Sequence, residues 1–153
     1  MTDTDTSAGT LTFRGTVYPW ELDHMGHMNV RHYVGKFDNA TWALFAELGM
    51  TRAYLQENRR GMAAVEMVVR YLQELNAGDL VHTRTRLVEV GDRKIVFEHV
   101  MIEEETGAVA ATCRVTGVHI DTDRRKSVRF DEAIQAHLFK RRDHDSAAAS
   151  AVA

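Results

Sequence analysis

One long amphipathic segment precedes four long alternating ones, and this order constrains the fold more than any other feature of the sequence. Between residues 30 and 48, apolar side chains recur at three- and four-residue steps, as they do on one face of an α-helix. From residue 62 to residue 121 the pattern changes to the two-residue alternation and β-branched content of strands. A helix followed by an uninterrupted run of strands is typical of the α+β class.

Caps and turns give the bounds of these elements. Asn29 is a good N-cap and Gly49 a good stop, so we predict the long helix at Val30–Leu48. Turn residues at 76–79, 91–92 and 106–107 indicate short joints, which favour antiparallel neighbours. The predicted elements are, in chain order, a short strand Leu11–Tyr18, the long helix, the strands Met62–Leu75, Leu80–Val90, Lys94–Glu103 and Val109–Asp121, and a short helix Asp131–Lys140.

The two ends of the chain differ in composition from the part between them. Residues 1–9 are small and polar, and residues 141–153 end in Ala and Ser repeats without periodicity. We therefore predict two disordered tails around one domain at residues 10–140.

Several predicted strands are apolar on both faces, as Phe97 alternates with Val96 and Val100. One helix cannot cover both faces of a sheet, and a second subunit is the simplest cover. We therefore predict a homodimer or homotetramer.

The composition excludes several classes of function. A net charge of -3 provides no general basic field for nucleic acid. The single cysteine, Cys113, excludes an internal disulfide and a Cys-rich metal site. The sequence has no signal-peptide pattern, and no run approaches the roughly 20 apolar residues of a membrane span. We expect a cytoplasmic protein that binds neither nucleic acid nor membrane.

The densest polar cluster, Glu21–Asn29, lies between the first strand and the long helix. The first N–H groups of a helix have no intrahelical partners and carry the positive end of its dipole, so they suit a carbonyl or an oxyanion. Asp23 lies one turn upstream, and Gly26 permits close approach of a ligand. A carboxylate beside an oxyanion hole is enough to hydrolyse an activated ester. A purely structural interpretation stays open, in which Asp23 caps a turn and Asn29 caps the helix.

Other chemistries have less support. Imidazole and carboxylate suit zinc or iron, and three histidines lie near Asp23: His24, His27 and His32. They straddle a turn and a helix start without a His-Glu-x-x-His arrangement, so we predict no metal. No serine lies in a Gly-x-Ser-x-Gly motif, and Cys113 is interpreted as a small buried residue of the last long strand.

Two further places are candidate ligand contacts. Glu66 interrupts the apolar run Ala63–Val69, so it lines a pocket, points to solvent or pairs with Arg70. Arg93 and Lys94 follow the Gly91-Asp92 turn, where basic side chains either bind phosphates or are simply solvated.

The polar cluster and the later turns carry a resemblance to a known family. The motif reads Asp23-x-x-Gly26-His27-x-Asn29-x-x-x-Tyr33, followed by Phe37-Asp38, the Gly78-Asp79 turn and the hairpin Gly91-Asp92-Arg93-Lys94. In order and spacing, residues 12–120 resemble the 4-hydroxybenzoyl-CoA thioesterase-like branch of the hotdog superfamily.

The resemblance implies a single hotdog domain, with a long central helix wrapped by an antiparallel sheet of about five strands that extends across a dimer. It also implies hydrolysis of an acyl-CoA thioester without cofactor or metal, at a site on the subunit interface. The aspartate matching Asp23 attacks the thioester or activates water, and the amide matching Val30 polarises the thioester carbonyl. His27 and Asn29 would shape the loop.

The resemblance also implies substrate contacts. Arg93 and Lys94 would contact the CoA phosphates, and Tyr33 and Glu66 are the other expected contacts. Relatives often have a small or hydroxylated residue at the position of Glu66. The run from Asp23 to Asn29 is also similar to thioesterases that act on betainyl-CoA, and a carboxylate at Glu66 suits a cationic acyl group.

Two alternatives stay open. A hotdog hydratase or dehydratase keeps the fold and changes the reaction, although its helix signature is absent here. A non-catalytic dimer that binds acyl-CoA or a partner protein would leave the placement of Asp23 at a helix start unexplained.

Overall fold

The computed structural model describes residues 6–151, in which a long helix packs on one face of an antiparallel sheet. The elements are β1 (Thr10–Thr16), α1 (Val30–Glu47), α2 (Arg52–Glu57), β2 (Arg60–Tyr71), β3 (Leu80–Val90), β4 (Lys94–Glu103), β5 (Val109–Asp121), β6 (Lys126–Ser127) and α3 (Glu132–Ala151). A 3₁₀ turn at Pro19–Glu21 precedes α1. The strand order is β1-β3-β4-β5-β2, with β6 paired to β5, and all pairs are antiparallel.

The core lies between α1 and the inner face of the sheet, which is the face turned toward this helix. Phe37 of α1 stacks on His99 of β4 with ring centroids 5.5 Å apart. Phe45, two turns further along, meets Phe97 edge-on at 5.8 Å. All four rings are buried, so the three- and four-residue apolar period of α1 corresponds to its contact with β4.

The outer face of β4 is buried within the same chain. Val96 and Val100 point away from α1, and both are nevertheless buried. Between them Glu98 accepts hydrogen bonds from Arg86 at 2.6 Å and Arg114 at 2.8 Å. The apolar stems of long basic side chains can shield such a surface. This part of the sheet therefore does not need a second subunit as its cover, and the predicted homodimer or homotetramer stays a prediction.

Strand β2 is an edge of the sheet and differs from β4 in its exposure. It pairs with β5 on one side, and no strand of residues 6–151 pairs with its other side. Val65, Met67 and Val68 are exposed along it, and a register shift between Ala64 and Glu66 interrupts the ladder.

The predicted bounds of β3, β4 and β5 and the start of α1 are confirmed. Strand β2 ends at Tyr71 rather than Leu75, because the Leu72 and Gln73 amides both donate to Ala110 O and the chain then turns away. The helix α2 was not predicted.

The predicted disorder of residues 141–153 is wrong for residues 141–151, which continue α3. Asp145 is buried and accepts a hydrogen bond from the Leu87 amide at 2.8 Å. Arg141 binds Asp145 at 3.1 Å and Glu47 at 2.9 Å. Contacts with distant parts of the chain thus hold this helix, and residues 152–153 lie outside the described part.

Of the predicted N-terminal tail, residues 1–5 lie outside the described residues. Residues 6–9 form neither helix nor strand, but Ala8 is buried and Gly9 O accepts a hydrogen bond from Arg84. Within residues 6–151, none of the helices combines the length and apolar character needed to cross a bilayer.

Candidate active site

A short turn places Asp23 next to the N-terminus of α1. The Asp23 amide donates to His27 O and the Gly26 amide donates to Asp23 O, both at 3.0 Å. Gly26 has a φ of +87°, which an L side chain rarely adopts, so the turn requires glycine here. The Asn29 amide donates to Glu21 O at 2.9 Å, which brings the two ends of the turn together.

The Asp23 carboxylate is half-buried and only partly paired. Its Oδ1 accepts a hydrogen bond from the Met25 amide at 2.8 Å, which is the turn-capping bond of the structural interpretation. Its Oδ2 has one longer contact, 3.5 Å from Asn29 Nδ2. One carboxylate oxygen is therefore fixed while the other retains room for a further donor.

The start of α1 offers an unpaired amide beside this carboxylate. Asn29 is the N-cap, and its Oδ1 accepts a hydrogen bond from the Arg31 amide at 3.1 Å. The His32 amide donates to Asn29 O. No acceptor among residues 6–151 pairs with the amide of Val30, whose residue is exposed. The predicted N-cap is confirmed, and the Val30 amide is a donor at the positive end of the helix dipole.

Tyr33 joins α1 to the segment that follows β2. Its hydroxyl donates to Gln73 O at 3.0 Å, and its ring meets Tyr71 edge-on at 5.2 Å. Burial raises the pKa of Tyr33, so the hydroxyl is a proton donor at neutral pH. The Met28 amide donates to Leu75 O at 2.8 Å and holds the same segment beside the Asp23 turn.

Two of the three histidines near Asp23 have separate acidic partners. His27 lies 3.1 Å from Glu74, and His32 lies 3.7 Å from Glu21, while His24 is exposed. Within the described part of the chain, no group of three or more His, Cys, Asp or Glu side chains is arranged to hold a metal ion.

Of three predicted substrate contacts, Arg93 and Lys94 lie away from Asp23 in the protomer, and Glu66 lies on the edge strand β2. The Glu66 side chain is exposed, and no hydrogen bond or ion pair joins it to Arg70 or to any other of residues 6–151. Arg93 contacts Ser127 at 3.4 Å, and Lys94 lies 3.5 Å from Glu89. Arg93 and Lys94 follow the end of β3, whereas the Asp23 turn lies near the beginning of that strand. An extended strand of this length spans about 33 Å.

A buried ion pair beside the Asp23 turn was missed in the sequence. Lys36 Nζ lies 2.9 and 3.1 Å from the two carboxylate oxygens of Glu21. Burial acts to raise the pKa of Glu21, but hydrogen bonds from Lys36 and the Tyr18 amide hold it below its usual value. The sequence did contain one indication of this pair, because Lys36 follows Tyr33 by three residues and so lies on the buried face of α1.

Cys113 is buried in β5, as predicted. Burial raises the pKa of its thiol to about 11, so the nucleophilic thiolate is scarce at neutral pH. Cys113 is therefore a poor candidate for a nucleophile.

Comparison with known proteins identifies the family. The family model of the thioesterase-like superfamily matches residues 17–138, which include the Asp23 turn, α1 and strands β2 to β5. The chain belongs to the thioesterase-like superfamily. The resemblance carried by the Asp23 motif is thereby confirmed at the level of the family.

Two relatives of this superfamily member are thioesterases by name. The betainyl-CoA thioesterase of Pseudomonas aeruginosa is 24% identical over 127 residues, which cover 83% of this chain and 80% of the relative. The L-carnitine dehydrogenase/betainyl-CoA thioesterase of Agrobacterium fabrum is 28% identical over 117 residues, 76% of this chain. The matched part is 24% of that relative's length, so this chain corresponds to only a fraction of it.

Solved structures confirm the hotdog fold of this superfamily member. A Staphylococcus aureus protein characterised in complex with CoA superposes with a TM-score of 0.83 at 19% identity. The superposition covers 92% of this chain and 89% of that protein.

Proposed function

We propose that this chain hydrolyses an acyl-CoA thioester to the free acid and CoA in the cytoplasm. The observation that carries the proposal is the Asp23 carboxylate, with one oxygen fixed by the Met25 amide and the other open, beside the unpaired Val30 amide. Membership of the thioesterase-like superfamily supports the same reaction.

In the proposed reaction the thioester carbonyl accepts a hydrogen bond from the Val30 amide, which stabilises the negative charge that develops on that oxygen. Asp23 either removes a proton from the attacking water or attacks the carbonyl carbon itself. The C–S bond then breaks, the CoA thiolate leaves and takes up a proton, and the overall reaction consumes one water. In the second route, water then hydrolyses the acyl–Asp23 anhydride to the free acid and the Asp23 carboxylate. A thiolate is a good leaving group, so the scheme includes no metal or cofactor.

A second protomer completes the proposed site. The outer edge of β2 is unpaired among the described strands, and an isologous contact there would extend the sheet and cover the exposed Val65 and Met67. The separation of Arg93 and Lys94 from the Asp23 turn within one chain favours a CoA site shared between protomers.

The interface is tested by Val65→Lys, with Leu11→Lys as its control because Leu11 is also exposed on an edge strand, β1. Light scattering after gel filtration should show Val65→Lys as a monomer without thioesterase activity, and Leu11→Lys as an active dimer. A dimeric Val65→Lys variant would show that β2 is not the interface.

We further propose a cationic acyl group, as in the betainyl-CoA named for the relatives. Its support is the exposed carboxylate of Glu66, because a carboxylate attracts a quaternary ammonium group. Glu66→Gln should raise KM for betainyl-CoA and leave an uncharged ester of similar size unaffected. Unchanged kinetics for betainyl-CoA would remove Glu66 from the site.

The reaction is tested by thiol release from betainyl, short-chain, long-chain and aromatic CoA esters, with the products identified by mass spectrometry. Hydrolysis predicts one thiol and one free acid per turnover for at least one ester. Conversion of crotonyl-CoA to 3-hydroxyacyl-CoA without thiol release would instead indicate a hydratase. Tight binding without turnover would indicate a binding protein.

A further inference from the structure

The groove between β1 and the N-terminal half of α1 contains a buried ion pair in its wall. The groove has a volume of about 410 Å³, and its lining includes Lys36 and Glu21. Lys36 Nζ lies 2.9 and 3.1 Å from the Glu21 carboxylate oxygens and 3.2 Å from Thr16 O. An ammonium has three N–H donors, and these three acceptors match them. The cation is satisfied inside the protein, so it is not a free anion site in the groove.

The stability of the fold does not by itself explain this pair. Lys36 is 7% exposed, and removing an ammonium and a carboxylate from water costs several kcal/mol per ion. Apolar side chains of similar volume often replace a buried pair with no loss of stability. The parts of the chain that the pair connects therefore suggest its role.

The pair connects α1 to both ends of the Asp23 turn. Glu21 lies two residues before Asp23, and its Oε2 also accepts a hydrogen bond from the Tyr18 amide at 2.8 Å. Its backbone carbonyl accepts the Asn29 amide at 2.9 Å, at the exit of the turn. Lys36 belongs to the second turn of α1. Its side chain therefore holds Glu21 at the start of the Asp23 turn and, through the Glu21 carbonyl, Asn29 at the end of that turn.

The tip of the turn has little packing of its own. Residues 24–26 are exposed, and a Cβ at Gly26 would meet no atom within 4 Å. The position of Asp23 relative to the helix therefore depends on bonds at the base of the turn, where Glu21 lies. A misplacement of about 1 Å at a reacting group can lower a rate by about 100-fold.

We propose that Glu21 and Lys36 are positioning residues for Asp23. Their ion pair holds residues 18–29 against α1, so that the Asp23 carboxylate and the Val30 amide keep the arrangement that hydrolysis requires. The inference rests on the proposed thioesterase function for its catalytic consequence, but the ordering of the turn is measurable without any substrate.

The test compares Lys36→Met with the double variant Glu21→Leu/Lys36→Met. The single variant leaves a buried carboxylate without its cation, and the double variant removes both charges. Arg141→Met is the matched control, because Arg141 also belongs to a buried ion pair, with Asp145, which does not contact the Asp23 turn. Lys36→Arg keeps the charge and serves as the conservative variant.

Lys36→Met and the double variant should each lose about 10- to 100-fold in kcat, with KM changed less than about threefold. The double variant should recover much of the thermal stability that the single variant loses, without recovering kcat. Arg141→Met should lose stability with kcat unchanged, and Lys36→Arg should restore most of kcat. A stable double variant with wild-type kcat would overturn the proposal.

Hydrogen exchange of peptides covering residues 18–30 separates this inference from the proposed reaction. Exchange should be faster in the double variant and unchanged in Arg141→Met, in folded protein without substrate. Equal protection in the double variant and the wild type would refute the positioning role. If the wild type hydrolysed no thioester, the proposed function would fail, and the exchange comparison would still show whether the pair orders the turn.

Discussion

The two ends of α1 are held by similar ion pairs and differ in what surrounds them. At the N-terminal end Lys36 binds Glu21, and the adjoining turn carries Asp23. At the C-terminal end Arg141 binds both Glu47 and Asp145. Both cations are largely buried, so removal of either one leaves a buried carboxylate without its partner.

What differs is the hydrogen-bonding capacity that remains unused. At the C-terminal end, Asp145 accepts from the Leu87 amide as well as from Arg141, and Arg141 also donates to Thr85 O. At the N-terminal end, one oxygen of Asp23 and the Val30 amide remain open. A charged cluster with every group paired stabilises the fold, whereas a site needs groups that the fold holds in place and leaves partly unpaired.

The largest effect on stability is expected for Asp145→Ala at the C-terminal end. The change leaves the Leu87 amide and much of the Arg141 charge without an acceptor, and loss of one partner of a buried pair costs about 3–5 kcal/mol. Urea unfolding should show this loss, while kcat below the melting temperature stays at the wild-type value. Asp143→Ala, on the exposed side of the same helix, should change stability by less than about 0.5 kcal/mol. A large fall in kcat for folded Asp145→Ala would contradict the division between the two ends.

A smaller, pH-dependent effect is expected at His99, which contacts the middle of α1. Thr41 Oγ1 donates to Phe37 O, so it accepts from His99 Nε2, and Thr85 Oγ1 donates to Nδ1. Burial lowers the pKa of His99 to about 3. The unfolded chain therefore binds one more proton than the folded chain between about pH 3 and 6.5, so stability falls as pH falls through that window.

From pH 7 to pH 4.5 the loss at His99 should be roughly 2–3 kcal/mol. His99→Gln removes the titrating group, so its stability at pH 7 should be lower but should decline less steeply toward pH 4.5. Unfolding curves measured at several pH values give the dependence of the free energy of unfolding on pH for the wild type and for His99→Gln. If the free energy of unfolding fell equally steeply with pH in the two proteins, His99 would not be held neutral by burial.

The smallest effect on stability distinguishes two helix caps. Asn29 caps α1 at the active end, and Thr51 caps α2 just after the other end, where its hydroxyl accepts the Tyr54 amide at 3.2 Å. Replacing either by Ala should cost about 1 kcal/mol. Only Asn29→Ala should also lower kcat, by about tenfold, because Asn29 Nδ2 is the contact of the open Asp23 oxygen. Equal kcat values for the two variants would assign Asn29 to the helix cap alone.

Local patterns predicted the elements but not their long-range contacts. Strands β3 to β5 and the start of α1 follow from alternation, turns and the Asn29 cap, all of which lie within a few residues of the feature that they determine. The extension of α3 depends on Arg141 and Asp145 reaching residues of α1 and β3, which no local pattern contains.

The same limit applies to the site. Asp23, Asn29 and Val30 lie close together because they belong to one turn and the start of the helix that follows it, and their roles in hydrolysis stay predictions. The Glu21–Lys36 pair was missed because it joins a turn to a helix across 15 positions of the sequence. The predicted extension of the sheet across a dimer depends on a second chain, so it stays a prediction.

The most direct measurement of the central claim is the rate of thiol release by Asp23→Asn on the best CoA ester of the wild type. The amide oxygen of Asn can still accept the Met25 amide, so the turn and the melting temperature should be preserved. We expect a loss of about 1,000-fold or more in kcat, because the Asn amide is neither a base nor a nucleophile. A folded Asp23→Asn protein that hydrolysed the ester at the wild-type rate would contradict the assignment of Asp23 as the catalytic carboxylate.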